Sequence, residues 1–312
     1  MTNFLGLDLG GTKLLACLTD SNGVVIASAV RKTGRATGPI EACALIADAA
    51  AELRETHGAY ERAGVGFPGV ADFRRGVARS SVMLDGWLDV PLAARLGELL
   101  GVPCVIDNDV NMAAIAELHA RRDDVPESML FVAVGTGIGG AITFGDRIWR
   151  GHTGVAGEIG NTTIDRHGVV CWCGRRGCLN TCASGTAIGE HQGDPHWTAS
   201  GHDASRLQLS VHAAAVSLGI GVANALNLMN PSLVVLGGGV SRYGTPWLDV
   251  VASTARAEAF REAAQCRIEL ARAGYGASAV GAALLAMEGR GGPSATSRTR
   301  HPGAAAFAGA RS

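Results

Sequence analysis

A chain of 312 residues is long enough for two domains, and 47% hydrophobic with 18% charged residues is the composition of a globular protein with a generous core. A formal net charge of -1 leaves no electrostatic footprint for nucleic acid or an anionic membrane. No apolar run approaches the ~20 residues that span a bilayer, and the chain opens on FLGLDLG without a charged-then-apolar signal pattern, so a cytoplasmic protein with no membrane and no nucleic-acid partner is expected.

Phe4 to Asp8 reads as a buried strand ending in a glycine turn at Gly10-Gly11. Leu14 to Leu18 and Val24 to Val30 read as two more strands, and the intervening Asp20-Ser21-Asn22-Gly23 is a hairpin signal. From Gly38 to His57, Ala, Leu and Ile recur at helical spacing. Gly64 to Phe67 is a strand that stops at the turn pair Pro68-Gly69. Val102 to Ile106 is another strand; it runs into Asn108-Asp109 and a helix over Asn111 to Ala120. From Ser128 the theme repeats: MLFVAV is a strand, GTGIGG a glycine turn and AITF a strand. Two similar α/β halves are therefore expected, each opening on a phosphate-facing hairpin. A helix over Val211 to Asn227, a strand over Leu233 to Leu236 ending at Gly237-Gly238-Gly239, and a helix over Ala277 to Met287 follow. His191 to Asp203 reads as an exposed polar loop, and 289–312 as a disordered tail.

Asp8-Leu9-Gly10-Gly11-Thr12-Lys13 and Gly135-Thr136-Gly137 with Ile138-Gly139-Gly140 each follow a strand. Glycines let backbone N–H groups approach phosphate oxygens, and Asp8 suits the hydrated Mg²⁺ that accompanies ATP. Either segment could also be a plain hairpin turn. The second contains GxGxxG, but a strand follows it rather than a helix, which disfavours dinucleotide binding. Gly238 and Gly239 at a strand end would admit a flat ring such as adenine. Asp109, at a strand's C-terminal end, could accept a proton from a substrate hydroxyl, with Asn108 beside it, or the pair could simply cap the next helix. Four of the eight cysteines cluster at Cys171, Cys173, Cys178 and Cys182. The Cys-x-Cys-x₄-Cys triplet points to a structural Zn²⁺ site, or else to buried metal-free thiols.

The ordered set DLGGTK, GFPG (Gly66 to Gly69), NDVN (Asn108 to Asn111), VGTGIGG, EIGN and CWCGRRGCLN resembles the ROK family of sugar kinases and repressors, from Leu5 to about Met287. The resemblance implies an α/β fold of two actin-like (ribonuclease H-like) lobes with an interlobe cleft: 1–118 as the sugar and phosphate lobe, rejoined by the C-terminal helix 277–288, and 119–276 as the nucleotide and metal lobe. It implies Asp109 as general base and Gly69, Asn108, Asp109, Glu158, Asn161 and Asn180 at the sugar. ATP with Mg²⁺ is assigned to Asp8, Gly10, Gly11, Thr12, Lys13, Gly135, Thr136, Gly137, Gly238 and Gly239. A homodimer is also implied.

Three positions depart from the family pattern. Asn161 stands where the family has its zinc His, leaving Cys171, Cys173 and Cys178 with His167 as a substitute fourth ligand. Asn180 stands where the family has a sugar-binding Glu, and Met83 lies near the usual Asn before Gly86-Trp87. With Asp109 and Glu158 kept, the expected reaction is ATP-dependent phosphorylation of a hexose 6-hydroxyl. The altered contacts point to an amino sugar such as kanosamine, of an antibiotic pathway, whose ammonium would meet the two carboxylates. The alternatives are a glucokinase, an N-acetylhexosamine kinase, or a non-catalytic sugar-sensing regulator. Family regulators carry an added helix-turn-helix, for which there is no room ahead of the first strand.

Overall fold

The computed structural model describes residues 2–190 and 204–289; the polar loop and the tail beyond Gly289 fall outside them. The first half contains β1 (Phe4–Leu9), β2 (Lys13–Thr19), β3 (Val25–Lys32), α1 (Pro39–His57), β4 (Arg62–Phe67), β5 (Val70–Asp72), β6 (Val77–Ser80), β7 (Leu88–Val90), α2 (Leu92–Leu100), β8 (Cys104–Asn108) and α3 (Asp109–Ala120). The second contains β9 (Ser128–Val134), β10 (Ile138–Phe144), β11 (Arg147–Trp149), α4 (Asn180–Ala183), α5 (Gly185–Glu190), α6 (Ala204–Met229), β12 (Leu233–Gly237), α7 (Thr245–Glu258) and β13 (Arg267–Leu270), and α8 (Ala277–Glu288) closes the chain.

The expected repetition is present. One sheet runs β3-β2-β1-β4-β8 and the other β11-β10-β9-β12-β13. In each, the first three strands form an antiparallel meander and the last two run parallel to the first. The two lobes thus share one topology, and a small β5-β6-β7 sheet is added to the first. Each sheet supports its own core: Leu5, Leu7, Ile46, Leu53 and Phe67 in the first lobe, and Val132, Leu218, Val222, Val234 and Trp247 in the second.

Helix α3 is the wedge between the lobes. Ala113, Ala114 and Leu118 pack on Met129, Phe131 and Val235 of the second sheet, while Met112 meets Ala282 and Leu285 of α8. Helix α8 lies directly on the first sheet because glycines clear its path. A Cβ at Gly6 would stand 1.9 Å from the Ala279 carbonyl oxygen, and one at Gly64 would stand 2.0 Å from that of Ala282. The C-terminal helix therefore returns to the first lobe.

Two expectations are corrected. Helix α6 is long and apolar enough to cross a membrane by length and composition (Gln208–Met229, mean hydropathy 1.6), although no such run was expected. It is a core helix: Ala214, Ala215, Leu218, Val222 and Leu226 are buried in the second lobe. The second glycine turn is also shorter than read. Ile138, Gly139 and Gly140 already belong to β10, paired with Val134, Ala133 and Val132. They are small there because Val110 and the Gly157 carbonyl press on the strand, at 2.6 and 2.5 Å from the Cβ positions of Gly139 and Gly140.

Candidate active site

The parallel register sets the site. Asp8 lies opposite Gly66, and Gly66 opposite Asp107, so the C-terminal ends of β1, β4 and β8 converge. There β8 hands over to α3. Asn108 is the N-cap: its side-chain oxygen accepts from the backbone N–H of Val110 (2.9 Å) and Asn111 (3.2 Å), and its amide nitrogen donates to the Gly69 carbonyl (3.1 Å). The capping reading of Asn108 thus holds alongside a place at the cavity. The cap fixes Asp109 at the first position of α3, half-buried and facing the cleft.

A cavity of about 320 Å³ joins these groups. Its lining takes in Asp8, Gly10, Gly11, Thr12 and Lys13 from the first turn and Gly135, Thr136 and Gly137 from the second. Gly69, Asn108, Asp109, Glu158 and Gly238, also expected, line it too. Gly239, Asn161 and Asn180 were expected there but do not line it. Met83 and Trp172 do, and Trp172 was missed. Its only signal was an aromatic residue set between two cysteines. A larger cavity of about 610 Å³, lined by Phe73, Ile115, His119 and Leu284 among others, holds none of the motif residues, so size alone would misplace the site.

The cavity is rich in carboxylates. Burial raises Asp109 from its ordinary value of 3.8 to about 7; the charges of Asp8 and Glu158 add to this, against the Val110 N–H that bonds its Oδ1. Burial also raises Asp8, opposed by the Ser278 hydroxyl, which donates to Asp8 Oδ1 at 2.9 Å, and by Lys13. Lys13 itself is held 2.8 Å from the Tyr275 hydroxyl, with its ammonium 4.5 Å from the ring centroid. Closure of each turn by backbone hydrogen bonds, Gly10 N–H to Lys13 and Gly135 N–H to Gly137, fixes both hairpins around the same space. Donors of this kind, with a carboxylate at a strand end, fit the phosphates of ATP and its Mg²⁺ ion.

Burial raises Glu158 as well, against the Asn161 side-chain nitrogen, which donates to its Oε2 at 2.9 Å. Asn180 is buried. Its oxygen accepts from the Ile138 backbone N–H (2.7 Å), and its nitrogen donates to Asn161 Oδ1 (3.1 Å). Both asparagines, read as sugar ligands, therefore bond to protein rather than face the cavity.

Beyond Glu158 the chain turns through the cysteine knuckle. The thiols of Cys171, Cys173 and Cys178 all lie within 4.8 Å of one another, with 3.5 Å between those of Cys173 and Cys178. Three soft donors at this spacing fit Zn²⁺, whose bonds to sulfur of about 2.3 Å would draw thiolates together. Cys173 is lowered to about 7, first by the Arg175 backbone N–H, while burial pushes its neighbour Cys178 up to about 12. His167, expected as the fourth ligand, is not part of this group, and Cys182 also stands outside it.

The ROK family profile matches residues 4–289. A glucokinase of Halalkalibacterium halodurans is 31% identical over 315 residues, covering 91% of this chain and 95% of that one. An N-acetylmannosamine kinase of Yersinia pseudotuberculosis is 38% identical over 185 residues, 59% of this chain and 62% of its own length. Among solved structures, a ROK family glucokinase from Streptomyces griseus in complex with glucose and AMPPNP superposes with a TM-score of 0.80 at 28% identity, over 92% of this chain and 99% of that one. The chain belongs to the ROK family.

Proposed function

We propose that the protein is an ATP-dependent hexose kinase in which Asp109 receives the proton of the attacking 6-hydroxyl. The observation that carries the reading is the carboxylate of Asp109 on one cavity wall, with both closed glycine turns on the others. A donor-rich turn binds phosphate, a carboxylate near neutral pKa accepts a proton, and the two are useful together only if a hydroxyl and a terminal phosphate meet between them. Asp109 orients the hydroxyl and draws off its proton as the bond to phosphorus forms. Lys13 and the N–H groups of the turns face the charge that shifts onto ADP. Asp8 would hold the magnesium ion that comes with ATP and neutralises phosphate charge.

Glucose is the first substrate to test, because two relatives matched over 95% and 99% of their own length are glucokinases. An amino hexose such as kanosamine is the second reading. It rests on Asp109 and Glu158 facing one cavity: an ammonium group would offset the burial that raises Asp109 and the repulsion from Asp8 and Glu158 that adds to it. N-acetylmannosamine, suggested by the partial relative, belongs in the same panel. A coupled ADP-release assay across glucose, N-acetylhexosamines and amino hexoses discriminates them. Glucose turnover equal to or above that of every amino sugar removes the second reading. No hexose-dependent ADP release at all would favour a sugar sensor over a kinase.

A further inference from the structure

The hydrogen bonds behind Glu158 form one directed chain. The Ile138 N–H, at the first residue after the nucleotide turn, donates to Asn180 Oδ1 (2.7 Å). Asn180 Nδ2 donates to Asn161 Oδ1 (3.1 Å), and Asn161 Nδ2 donates to Glu158 Oε2 (2.9 Å). Every donor points the same way, and the chain ends on a carboxylate, so each bond polarises the next. The Asn161 amide can join the two ends in one orientation only. Its oxygen must receive from Asn180 and its nitrogen must give to Glu158.

The packing around the chain is built for it. Asn180 is 3% exposed, and two glycines flank its amide. A Cβ at Gly137 would stand 3.3 Å from its oxygen, and one at Gly160 would stand 2.7 Å from its nitrogen and 2.0 Å from the Ile138 carbonyl. Gly137 belongs to the nucleotide turn and Gly160 to the segment that carries Glu158, so the buried amide sits at the junction of the two halves of the site.

We propose that Asn161 and Asn180 are positioning residues that couple the nucleotide turn to the sugar-side carboxylate, and that neither contacts the sugar. This rests on the kinase reading above. A phosphate seated on Gly135 to Gly137 fixes the Ile138 end of the chain, and a sugar on Glu158 fixes its other end. Because each bond polarises the next, a ligand that strengthens one end strengthens the other, so each ligand tightens the other. The coupling must be reciprocal.

The test is calorimetric titration with AMPPNP-Mg²⁺ and with glucose, or the hexose turned over fastest in the panel, each alone and in the presence of the other. The wild type is expected to bind each ligand at least about threefold more tightly when the other is present. Asn180→Ala adds no buried charge and removes both the acceptor for Ile138 and the donor to Asn161. Asn161→Ala, at a half-buried position, removes the link to Glu158. Both variants are expected to bind each ligand alone within about threefold of the wild type, with the mutual enhancement lost. A hexose affinity reduced tenfold or more, equally with and without AMPPNP, would make these asparagines direct ligands and overturn the proposal. So would a wild type that binds both ligands independently. A wild type that binds AMPPNP but no hexose of the panel overturns the kinase reading, and this proposal with it.

Discussion

Arg150 of the second lobe reaches Asp107 of the first, with Nε and a terminal nitrogen each 2.7 Å from the same carboxylate oxygen. Asp107 is 1% exposed, and its other oxygen accepts from the Asn108 N–H (2.8 Å) and the Asn111 amide (3.0 Å). One buried carboxylate thus holds the first turn of α3, on which Asp109 sits, and ties it to the second lobe. The Arg150 guanidinium also lies 3.9 Å from the Phe73 ring centroid, which shields the pair.

Removing Arg150 leaves that carboxylate buried and uncompensated, the situation in which a broken ion pair costs about 3 kcal/mol or more. Arg150→Met is expected to lower unfolding stability by that order in urea titrations. Asp107→Asn in the same chain should restore at least half, because the uncompensated charge is gone. An Arg150→Met protein within about 0.5 kcal/mol of the wild type would show that the pair carries no such role.

Asp109→Asn removes the proton acceptor and keeps the shape. Turnover is expected to fall by about 10²-fold or more, with AMPPNP affinity unchanged within about threefold. A coupled ADP assay with nucleotide titration checks both. In the wild type the carboxylate must be ionised to accept the proton. The value of about 7, set first by burial and then by Asp8, places the acid limb of kcat/KM near neutrality, with activity rising toward pH 8.

The same shift has a cost to the fold with a definite sign. Folded Asp109 holds its proton to about pH 7, whereas the unfolded chain releases it near ~3.9. Between those values the folded state binds more protons, so this residue's contribution to stability falls as pH rises and is lowest above about 7. Asp109→Asn is therefore expected to stabilise the protein at pH 8, by about 1–2 kcal/mol once water in the cavity is allowed for, and to lose the advantage toward pH 4. Thermal unfolding at the two pH values reads the difference. Equal effects at both would mean that the carboxylate is not perturbed.

The repeated strand–turn–strand units, the helix after Asp109 and the returning C-terminal helix were all legible, because buried strands read as apolar runs and turns as glycines. That Asp109 and Asp8 line one cavity follows the same logic: each is a carboxylate at the end of an apolar strand. Side-chain partners across the lobes were not legible. Asp107 drew no reading beside the Asn108-Asp109 pair, and nothing near it in sequence announced Arg150. Nor did the sequence join Glu117 to Arg121 and to the backbone N–H groups of Arg272 and Ala273, which pins the far end of α3. Asn161 and Asn180 were expected at the sugar; the hydrogen bonds that join them to Ile138, Glu158 and each other come from segments that only the folded chain brings together.

The glycines under α8 give a stability prediction with an internal control. At Gly6 an added methyl would fall 1.9 Å from the Ala279 carbonyl oxygen and 2.9 Å from the Ala283 side chain, inside a helix–sheet contact with no room to yield. Gly6→Ala is expected to cost about 3 kcal/mol or to prevent folding, since overpacking against backbone is worse than against side chains. At Gly34 nothing lies within 4 Å of the added carbon, and Gly34→Ala should be neutral within about 0.5 kcal/mol. Urea midpoints of the two variants measure the contrast.

The cysteine knuckle should govern the sugar side of the cleft more than the nucleotide side. Cys178 is fully buried, its thiol lies 3.8 Å from the Asn161 carbonyl oxygen, and Arg175 donates to that same oxygen at 2.7 Å, so the knuckle fixes the residue that bonds Glu158. The knuckle also carries Trp172 to the cavity wall. No direct side-chain bond of this kind ties the three cysteines to Asp8 or Lys13 among the described residues. Cys178→Ser is expected to drop bound zinc from about one ion per chain to near zero by elemental analysis, because a three-thiolate set cannot spare a member. With Trp172 no longer held at the cavity wall, hexose KM should rise at least about tenfold while AMPPNP affinity stays within about threefold, a split that general unfolding would not produce. Equal losses on both ligands would show that the metal holds the lobe as a whole rather than the sugar wall.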